Sequence, residues 1–374
     1  GHGVGMSQIG ARAKALAGES ATTILNYYYT GTTVETATDT QILRINIGHL
    51  LTATKVLSDS TGASLQLFAG DLAETQTTQV LSTIPSKTTL NVALRNGELN
   101  LSTTRGSRIT QISSGSVFTL RWSGTRYLEG APTILSVTTN ATVNRYRHGQ
   151  IQFKVIRDKV LGKRLEIINS VRLQDEYLWG ISEMSSAWPT AALEAQVIAS
   201  RSYALSKIGA IKPSCDCHVY SHIADQNFVC YSKEIEPKIG ALWKAAVSRT
   251  NIDTSTSLVI LANGKPIQAY YSSSSGGATQ TTLDAWGQAT SYTQSVADPA
   301  GLDPKLNPRF ASWKASSTQQ LVAAAFLLPD VISLEIVSRN SAGAVTYIKG
   351  TSSNGSTKLL RGDTFRSRAK IPSP

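Results

Sequence analysis

Alternating polar and apolar residues recur between residues 36 and 147, and this pattern constrains the fold more than any other feature. The clearest runs are 41–47, 64–68, 89–94 and 117–122, and each is bounded by Gly, Ser, Asn or Thr. A period of two places successive side chains on opposite faces of a β-strand, and the bounding residues favour tight turns. We therefore predict an all-β accessory domain of antiparallel strands, which serves for spacing or attachment and carries no catalytic group.

The chain after residue 147 mixes two periodicities. Apolar residues alternate in some stretches and recur every three or four residues in others, which predicts strands at 151–156 and 165–171 and helices at 191–207 and 238–248. Asn263-Gly264 separates two further apolar runs and is a strong hairpin signal. The fold class that follows is α+β.

Length and composition set outer bounds. The chain has 374 residues with 41% hydrophobic content, which is enough for two domains with cores of their own. There is no run of 18 apolar residues, so we expect no membrane span. The sequence opens with Gly1 and shows no signal peptide, so we expect a processed or trimmed chain whose export signal lies upstream.

The net charge of +11, from 36 basic and 25 acidic residues, favours polyanionic partners. These include nucleic acid, anionic lipid surfaces and acidic cell-wall polymers. The sequence has no zinc-finger spacing, RNA-binding aromatic motif or block of Lys and Arg, so we expect no nucleic-acid partner. Because the charge is spread along the chain, it is also consistent with a role in solubility or in retention by an acidic polymer.

Glu183 is the candidate catalytic acid. It lies between Trp179 and Trp188, directly before a predicted helix that begins at Thr190. A carboxyl group in apolar surroundings at such a position is a candidate for a tuned proton donor. The alternative is a surface glutamate in a helix entry loop.

Two other segments have an unusual composition. Residues 1–10 alternate glycine with other residues, and glycine allows another chain segment or a ligand to approach closely. Residues 270–279 combine two tyrosines, four serines and two glycines, which indicates a loop rich in hydroxyl and backbone donors. Taken alone, each segment is typical of a flexible loop.

Taken together, these motifs resemble the SpoIID (stage II sporulation protein D) family, whose relatives include amidase-enhancer proteins. Four motifs carry the resemblance: Tyr-Leu-x-Gly-x-x-Glu-Met at 177–184, Gln-x₄-Arg-x-Tyr-Ala at 196–204, Ser-Ser-x-Gly-Gly at 273–277 and Gly-His-Gly-x-Gly-Met-Ser-Gln at 1–8. The resemblance covers about 151–374 and the first 35 residues.

The order of the motifs departs from the family pattern. The simplest members would carry the Gly-His-Gly signature near the C-terminal end of the domain, whereas in this chain it comes first. We therefore expect a circular permutation, which is physically tolerable because domain termini often lie close together. The expected domains are an N-terminal segment (1–35) packing onto the catalytic domain, an inserted all-β accessory domain (36–147) and a SpoIID-like catalytic domain (148–374).

The resemblance implies a lytic transglycosylase that cleaves peptidoglycan glycan strands stripped of their stem peptides. An ordinary glycosidase needs two carboxylates. A lytic transglycosylase can use one, because the C6 hydroxyl of the sugar attacks and gives a 1,6-anhydro-muramic acid end. Glu183 would first protonate the leaving oxygen and then accept the C6 proton. A raised pKa would favour the acid role, and desolvation by Trp179, Met184 or Trp188 would supply it.

The resemblance also implies a set of substrate-binding residues. Arg201 follows Glu183 on the next predicted helix, and we favour a role in positioning substrate or a loop, because a cation paired with Glu183 would lower the pKa of the acid. The alternative is an ordinary helix-surface arginine. The other candidates are Tyr271, Ser273, Ser274, Ser275, Gly276, Gly277, His2, Met6, Ser7 and Gln8. For the N-terminal residues, the alternative is that they only brace the serine loop.

The three cysteines leave two possibilities open. Cys215, Cys217 and Cys230 share a short window with His218 and His222, and these residue types are the ligands that zinc prefers. However, Cys-x-Cys is not the usual ligand spacing, and in an exported protein a disulfide such as Cys217–Cys230 is at least as reasonable. We expect no cofactor unless a structural zinc occupies this window.

Two other functions compete with the enzyme. The first is a non-catalytic peptidoglycan-binding or amidase-enhancing module, which would use the same cleft without turnover and could have a cell-wall amidase as its partner. The second is a serine hydrolase, but the sequence lacks a Gly-x-Ser-x-Gly elbow. For the lytic transglycosylase and for the binding module alike, we expect the bacterial cell wall or the extracellular space as the location.

Overall fold

A computed structural model gives the fold of the protein and describes residues 1–58, 60–140 and 142–372. The chain forms two compact units. The first unit comprises Gly1–Glu35, Trp188–Tyr203 and Val259–Pro374, and the second comprises Thr36–Ala187 and Ala204–Leu258. Both helices and strands contribute, so the fold is α+β, as the sequence predicts.

The described residues form helices and strands in the following chain order. The helices are α1 (Gln8–Leu16), α2 (Ala21–Tyr28), α3 (Thr190–Lys207), α4 (Tyr231–Glu234), α5 (Gly240–Arg249), α6 (Thr282–Trp286), α7 (Gln319–Phe326) and α8 (Gly362–Ala369), with a π-helical turn at Leu173–Tyr177 and a 3₁₀ turn at Pro299–Leu302. The strands are β1 (Met6–Ser7), β2 (Thr33–Thr38), β3 (Ile42–Leu51), β4 (Ala53–Ser58), β5 (Ser64–Ala69), β6 (Ser82–Pro85), β7 (Thr89–Arg95), β8 (Glu98–Arg105), β9 (Arg108–Gly115), β10 (Val117–Trp122), β11 (Leu135–Thr139), β12 (Thr142–Tyr146), β13 (Gln150–Asp158), β14 (Gly162–Arg172), β15 (Val219–Tyr220), β16 (Thr256–Ala262), β17 (Lys265–Pro266), β18 (Tyr271–Ser272), β19 (Gly277–Ala278), β20 (Ala297–Asp298), β21 (Ser333–Arg339), β22 (Val345–Thr351) and β23 (Thr357–Arg361).

Two sheets dominate the second unit. One has the strand order β15-β3-β14-β13-β10-β5-β6, and the other has the order β12-β11-β4-β7-β8-β9. Alternate residues are buried, as a period of two requires: Leu90 and Val92 of β7 and Leu99 and Leu101 of β8 are fully buried. The strands predicted from alternation at 41–47, 64–68, 89–94 and 117–122 are therefore present as β3, β5, β7 and β10.

The compact units are bounded at other positions than the domains expected from the sequence. Strand β13 pairs with β10, with Phe153 opposite Phe118, and β14 pairs with β3, with Asn169 opposite Ile45. The seven-stranded sheet thus joins strands from both sides of residue 147. The physical reason is that alternation identifies a strand but carries no information about its partners.

The first unit contains the N-terminal segment and most of the residues after 258. Strand β1 pairs in parallel with β18, with Met6 opposite Tyr271. Near the C-terminus, α7 and α8 pack with the sheet of β21, β22 and β23 around an apolar core, whose buried members include Phe326, Ile348 and Phe365.

The predicted hairpin at Asn263-Gly264 is confirmed. Strands β16 and β17 pair with Ala262 opposite Lys265, which leaves a two-residue loop. Asn263 has φ 50° and Gly264 has φ 71°, the combination that a type I′ turn requires. Among the described helices, none combines the length and apolar character needed to cross a membrane.

Candidate functional site

Glu183 lies in the second unit, and its carboxyl group is held by a neighbouring chain segment. The backbone N–H of Asn227 donates to Glu183 Oε1 at 2.7 Å. The preceding residue is tied to the same partner, since Ser182 N–H donates to the Asn227 carbonyl at 2.8 Å and Asn227 Nδ2 donates to the Ser182 carbonyl at 2.8 Å. These three hydrogen bonds fix both the chain position and the orientation of the half-buried carboxyl group.

The segment that carries Asn227 packs tightly on the residues before Glu183. Phe228 stacks on Tyr177 with ring centroids 5.5 Å apart, and Tyr177 Oη donates to Gln226 Oε1 at 2.6 Å. A side chain at Gly180 would have its Cβ 2.4 Å from the Phe228 ring, so this contact requires glycine. The glycine of the Tyr-Leu-x-Gly motif therefore permits the packing that positions the acid.

Lys233 supports the chain on the other side of Glu183. Its side chain is almost fully buried, and its Nζ donates to the Met184 carbonyl at 2.9 Å and to Glu236 at 3.1 Å. Burial lowers the pKa of Lys233, and the Glu236 carboxylate opposes this effect. Both backbone neighbours of Glu183, Ser182 and Met184, are thus anchored through their carbonyl oxygens.

The Gly-His-Gly segment lies in the first unit, where it is tied to the serine-rich loop. Met6 N–H donates to the Tyr270 carbonyl and Ile9 N–H donates to the Ser273 carbonyl, both at 3.1 Å. Gly5 has φ 71°, and a Cβ at this position would lie 2.0 Å from the Tyr270 carbonyl oxygen. Only glycine allows so close an approach between these two segments.

The side chains of Met6, Ser7 and Gln8 are buried in this arrangement. Ser7 Oγ accepts from Gly10 N–H at 3.1 Å and caps α1, and Gln8 Nε2 donates to Gln196 Oε1 on α3 at 3.0 Å. These contacts brace the unit. Arg201 on α3 is also fully buried, so it is not an ordinary helix-surface arginine.

His2 is a neutral hydrogen-bonding group at pH 7. Burial lowers the pKa of His2 to about 4. Its Nδ1 accepts from Val4 N–H at 3.1 Å, which leaves the proton of the neutral ring on Nε2. The ring packs edge-on against Trp286 at a centroid distance of 5.1 Å.

The serine-rich loop borders a cavity of about 180 Å³ in the first unit. Ser273, Ser274, Ser275 and Gly276 line it, together with Gly1, Gly3, Phe310, Trp313 and Pro372. Tyr271 and Gly277 belong to the short strands on either side of the loop and do not line this cavity. The predicted binding residues thus all belong to the first unit, whereas Glu183 belongs to the second.

Comparison with known proteins supports the family resemblance for part of the chain. Residues 162–256 match the family model SpoIID, described as a stage II sporulation protein. These residues are a SpoIID-family segment. The segment contains Glu183 and the Gln196–Ala204 motif, while the Gly-His-Gly and serine-rich motifs lie outside the matched residues.

The chain is also similar to a protein named amidase enhancer from Bacillus subtilis strain 168. The two are 28% identical over 125 residues, which is 33% of this chain and 15% of the relative. The match thus spans about one seventh of that relative's length. No solved structure gives a significant match to the chain.

The cysteines of the SpoIID segment pair differently from the expected Cys217–Cys230 disulfide. Cys215 and Cys217 form the disulfide instead, and Cys230 is a buried free thiol whose pKa is raised by burial to about 12. Asp216 adopts a left-handed backbone conformation, with φ 51°, which folds the Cys-x-Cys stretch into a turn. Two of the sulfurs considered for zinc are therefore bonded to each other.

The two histidines of the same window accept backbone hydrogen bonds. His218 Nδ1 accepts from Arg44 N–H at 3.0 Å, and His222 Nδ1 accepts from Ala224 N–H at 3.3 Å. Across residues 1–58, 60–140 and 142–372, no group of three or more His, Cys, Asp or Glu side chains is arranged to hold a metal ion.

Sequence reasoning missed Asn227 and Lys233, the two residues that anchor the chain around Glu183. Neither residue lies in a motif, and each acts on a chain segment more than 40 residues away. Their donors are a backbone N–H, a side-chain amide and a lysine amine, groups that occur throughout any sequence. No signal in the sequence could have singled them out.

Proposed function

We propose that this protein is a peptidoglycan lytic transglycosylase, which cleaves denuded glycan strands with Glu183 as the single acid and base. The observation that carries the proposal is the hydrogen bond from Asn227 N–H to Glu183 Oε1, in a segment of the SpoIID family. A backbone N–H can only donate, so Oε1 must accept.

The proposed reaction has two proton transfers and consumes no water. Glu183 first gives its proton to the glycosidic oxygen as the bond from that oxygen to C1 of the muramic acid breaks. The C6 hydroxyl of the same sugar then forms a bond to C1 and gives its proton to the Glu183 carboxylate. The acid is restored, and the new end is 1,6-anhydro-N-acetylmuramic acid. A second carboxylate is unnecessary because no external water has to be activated.

The candidate residues of the first unit have two kinds of role in this proposal. The Ser273–Gly277 loop, Tyr271 and the Nε2–H of His2 provide hydrogen-bonding groups for sugar hydroxyl and acetamido groups. Met6, Ser7, Gln8 and Arg201 are buried, and they act as positioning residues that hold the loop and α3. A glycan strand is a polymer, so groups that bind it need not touch the ring that is cleaved.

We place the protein at the bacterial cell wall, outside the cytoplasm. Its net charge of +11 suits retention by acidic wall polymers. The Cys215–Cys217 disulfide also fits an oxidising compartment, because disulfides persist there and are rare in the cytosol.

The test is mass spectrometry of purified denuded glycan strands after incubation with the protein and with Glu183→Gln. Products that end in 1,6-anhydro-N-acetylmuramic acid are expected from the wild type and not from Glu183→Gln. Glu129→Gln, at an exposed glutamate of the same unit, is the matched control and should remain active. Hydrolysed reducing ends would overturn the one-carboxylate mechanism while keeping the enzyme.

A second candidate is an amidase-enhancing module, which is favoured by the similarity to the Bacillus subtilis amidase enhancer. In that case, both wild type and Glu183→Gln would bind the strands and neither would cleave them. Both would also accelerate a cell-wall amidase to the same extent when added to intact peptidoglycan.

A further inference from the structure

The cavity beside the serine-rich loop combines two kinds of surface. Part of its lining consists of serine and glycine residues of the loop, and part consists of the aromatic residues Phe310 and Trp313. Trp313 is 41% exposed, although removal of an indole ring from water lowers the free energy. A cavity with apolar surface and a few fixed polar groups is the usual form of a small-ligand site.

The hydroxyl group of Ser274 is held in a defined orientation. Asn307 Nδ2 donates to Ser274 Oγ at 3.1 Å and to the Gly301 carbonyl at 2.7 Å. Because the Ser274 oxygen accepts this hydrogen bond, its own proton is available for donation to a ligand. Gly301 is part of the same arrangement, since a Cβ there would lie 2.9 Å from Ser274 Oγ.

The hydroxyl group of the neighbouring Ser275 is also held by the protein, but it acts as a donor, whereas that of Ser274 acts as an acceptor. Its hydroxyl group donates to Asp298 Oδ2 at 2.5 Å, and Asp298 Oδ1 accepts from Tyr28 Oη at 2.9 Å. The Ser275 oxygen also lies 3.3 Å from the backbone nitrogen of Gly277, whose N–H donates to it. The loop therefore keeps its shape without a ligand, and little conformational entropy has to be lost on binding.

We propose that this cavity is a saccharide subsite, in which one sugar ring stacks its C–H face on Trp313 and accepts a hydrogen bond from Ser274. Sugar rings have this two-sided chemistry, with an apolar face of C–H groups and a periphery of hydroxyl or acetamido oxygens. Arg309 covers Phe310, with its guanidinium 4.9 Å from the ring centroid, so Trp313 is the stacking surface and Phe310 borders it. The identity of the ligand as a peptidoglycan glycan rests on the proposed function.

The experiment measures binding of stem-peptide-free glycan fragments by isothermal titration calorimetry. The Glu183→Gln protein is used as the background, so that the fragments stay intact. Added Trp313→Ala is expected to weaken binding about tenfold, and Ser274→Ala by about threefold to tenfold, in line with one stacking contact and one hydrogen bond. Trp313→Phe should restore part of the loss, because it keeps an aromatic face.

Two further variants separate the subsite from general effects. Gly301→Ala keeps Trp313 and Ser274 but pushes a methyl group against Ser274 Oγ, so it should weaken binding as Ser274→Ala does. Leu334→Ala removes an apolar side chain that is 49% exposed on β21 and should leave binding unchanged. Circular dichroism on each variant verifies that the fold is retained.

The outcomes distinguish the subsite from the enzyme. Cleavage by the wild type, with binding that is unchanged in Trp313→Ala and Ser274→Ala, would overturn the subsite and leave the enzyme. Binding that depends on Trp313, without cleavage by the wild type, would support the subsite and overturn the enzyme. Neither binding nor cleavage would overturn both.

Discussion

At the scale of single residues, the position of the proposed acid depends on Asn227. The backbone of Asn227 contacts the Glu183 carboxyl group, and its side-chain amide separately anchors Ser182. A substitution at this position keeps the first contact in principle and removes the second. The chain around Glu183 would then be held less firmly, and small displacements of a catalytic group are costly.

We expect Asn227→Ala to lower kcat about tenfold and to change KM little, because the side chain positions the acid and does not bind the sugar. The measurement is the initial rate of 1,6-anhydro product formation over a range of glycan concentrations. Asn144→Ala, at a half-buried asparagine on β12, is the control and should have wild-type kinetics. An unchanged kcat in Asn227→Ala would show that the backbone contact alone suffices.

The sequence singles out Glu183 as the candidate acid, whereas it does not indicate the residues that hold Glu183 in place. The acid belongs to a short motif whose residue types carry chemical meaning. Asn227 and Lys233 act through ordinary hydrogen bonds made over more than 40 residues of chain, and only the folded structure brings them near. Conversely, Met6, Ser7 and Gln8 stand out in the sequence, although the folded chain buries their side chains.

At the scale of elements, the parallel pair of β1 and β18 depends on Gly5. Gly5 has a left-handed conformation and lies against the Tyr270 carbonyl, where a Cβ would be 2.0 Å from the oxygen. Gly5→Ala should therefore lower the free energy of unfolding by more than about 3 kcal/mol, from backbone strain and steric overlap together. Urea unfolding monitored by circular dichroism measures the change.

Gly18→Ala is the matched control for this prediction. Gly18 also has a left-handed conformation, with φ 89°, but no atom lies within 4 Å of the position that a Cβ would occupy. Gly18→Ala should lower the free energy of unfolding by only about 1–2 kcal/mol, from backbone strain alone. If both variants lose the same free energy of unfolding, the close approach of Gly5 to Tyr270 does not contribute to stability.

The turn at residues 215–217 gives a second prediction at this scale. Thiol titration should find no rapidly reacting group in the native protein and one per chain after denaturation, because Cys230 is buried and its pKa is about 12. Peptide mapping without reduction should recover Cys215 and Cys217 in one cross-linked peptide. A cross-link that includes Cys230 would contradict this pairing.

Helices and strands could be predicted from the sequence where neighbouring residues show a turn motif or a sustained alternation. The hairpin at Asn263-Gly264 and strands such as β10 follow from turn chemistry and alternation within a few residues. The two-residue strand β1 has no pattern, and it exists because Gly5 lets the chain approach Tyr270. Helix α1 begins at Gln8, because the preceding Ser7 caps it.

At the scale of the whole molecule, the pairing of the strands was harder to predict from the sequence than the strands themselves. The seven-stranded sheet combines strands that precede and follow residue 147, because β13 pairs with β10 and β14 pairs with β3. The alternation of polar and apolar residues in each strand is compatible with several different neighbouring strands. The choice depends on the packing of buried residues such as Phe118 and Phe153, which no periodicity encodes.

The stability of the protein should depend on pH through His2. The pKa of His2 is about 4 in the folded protein, mainly because of burial; the Gly1 amino group and Arg366 lower it further, and Asp363 raises it. Its pKa in the unfolded chain is near 6.5. Between these values the unfolded chain binds more protons, so stability rises with pH and is fully present above about 6.5.

We therefore expect the free energy of unfolding to fall as the pH is lowered from about 6.5 towards about 4, with His2 accounting for at most roughly 3 kcal/mol. Urea unfolding at about pH 7 and about pH 4.5, compared between wild type and His2→Gln, isolates this contribution from that of the carboxylates. His2→Gln should show a smaller difference between the two pH values. His222→Gln, at an exposed histidine, should behave as the wild type does. If wild type and His2→Gln lose the same stability, the burial of His2 is not what couples folding to pH.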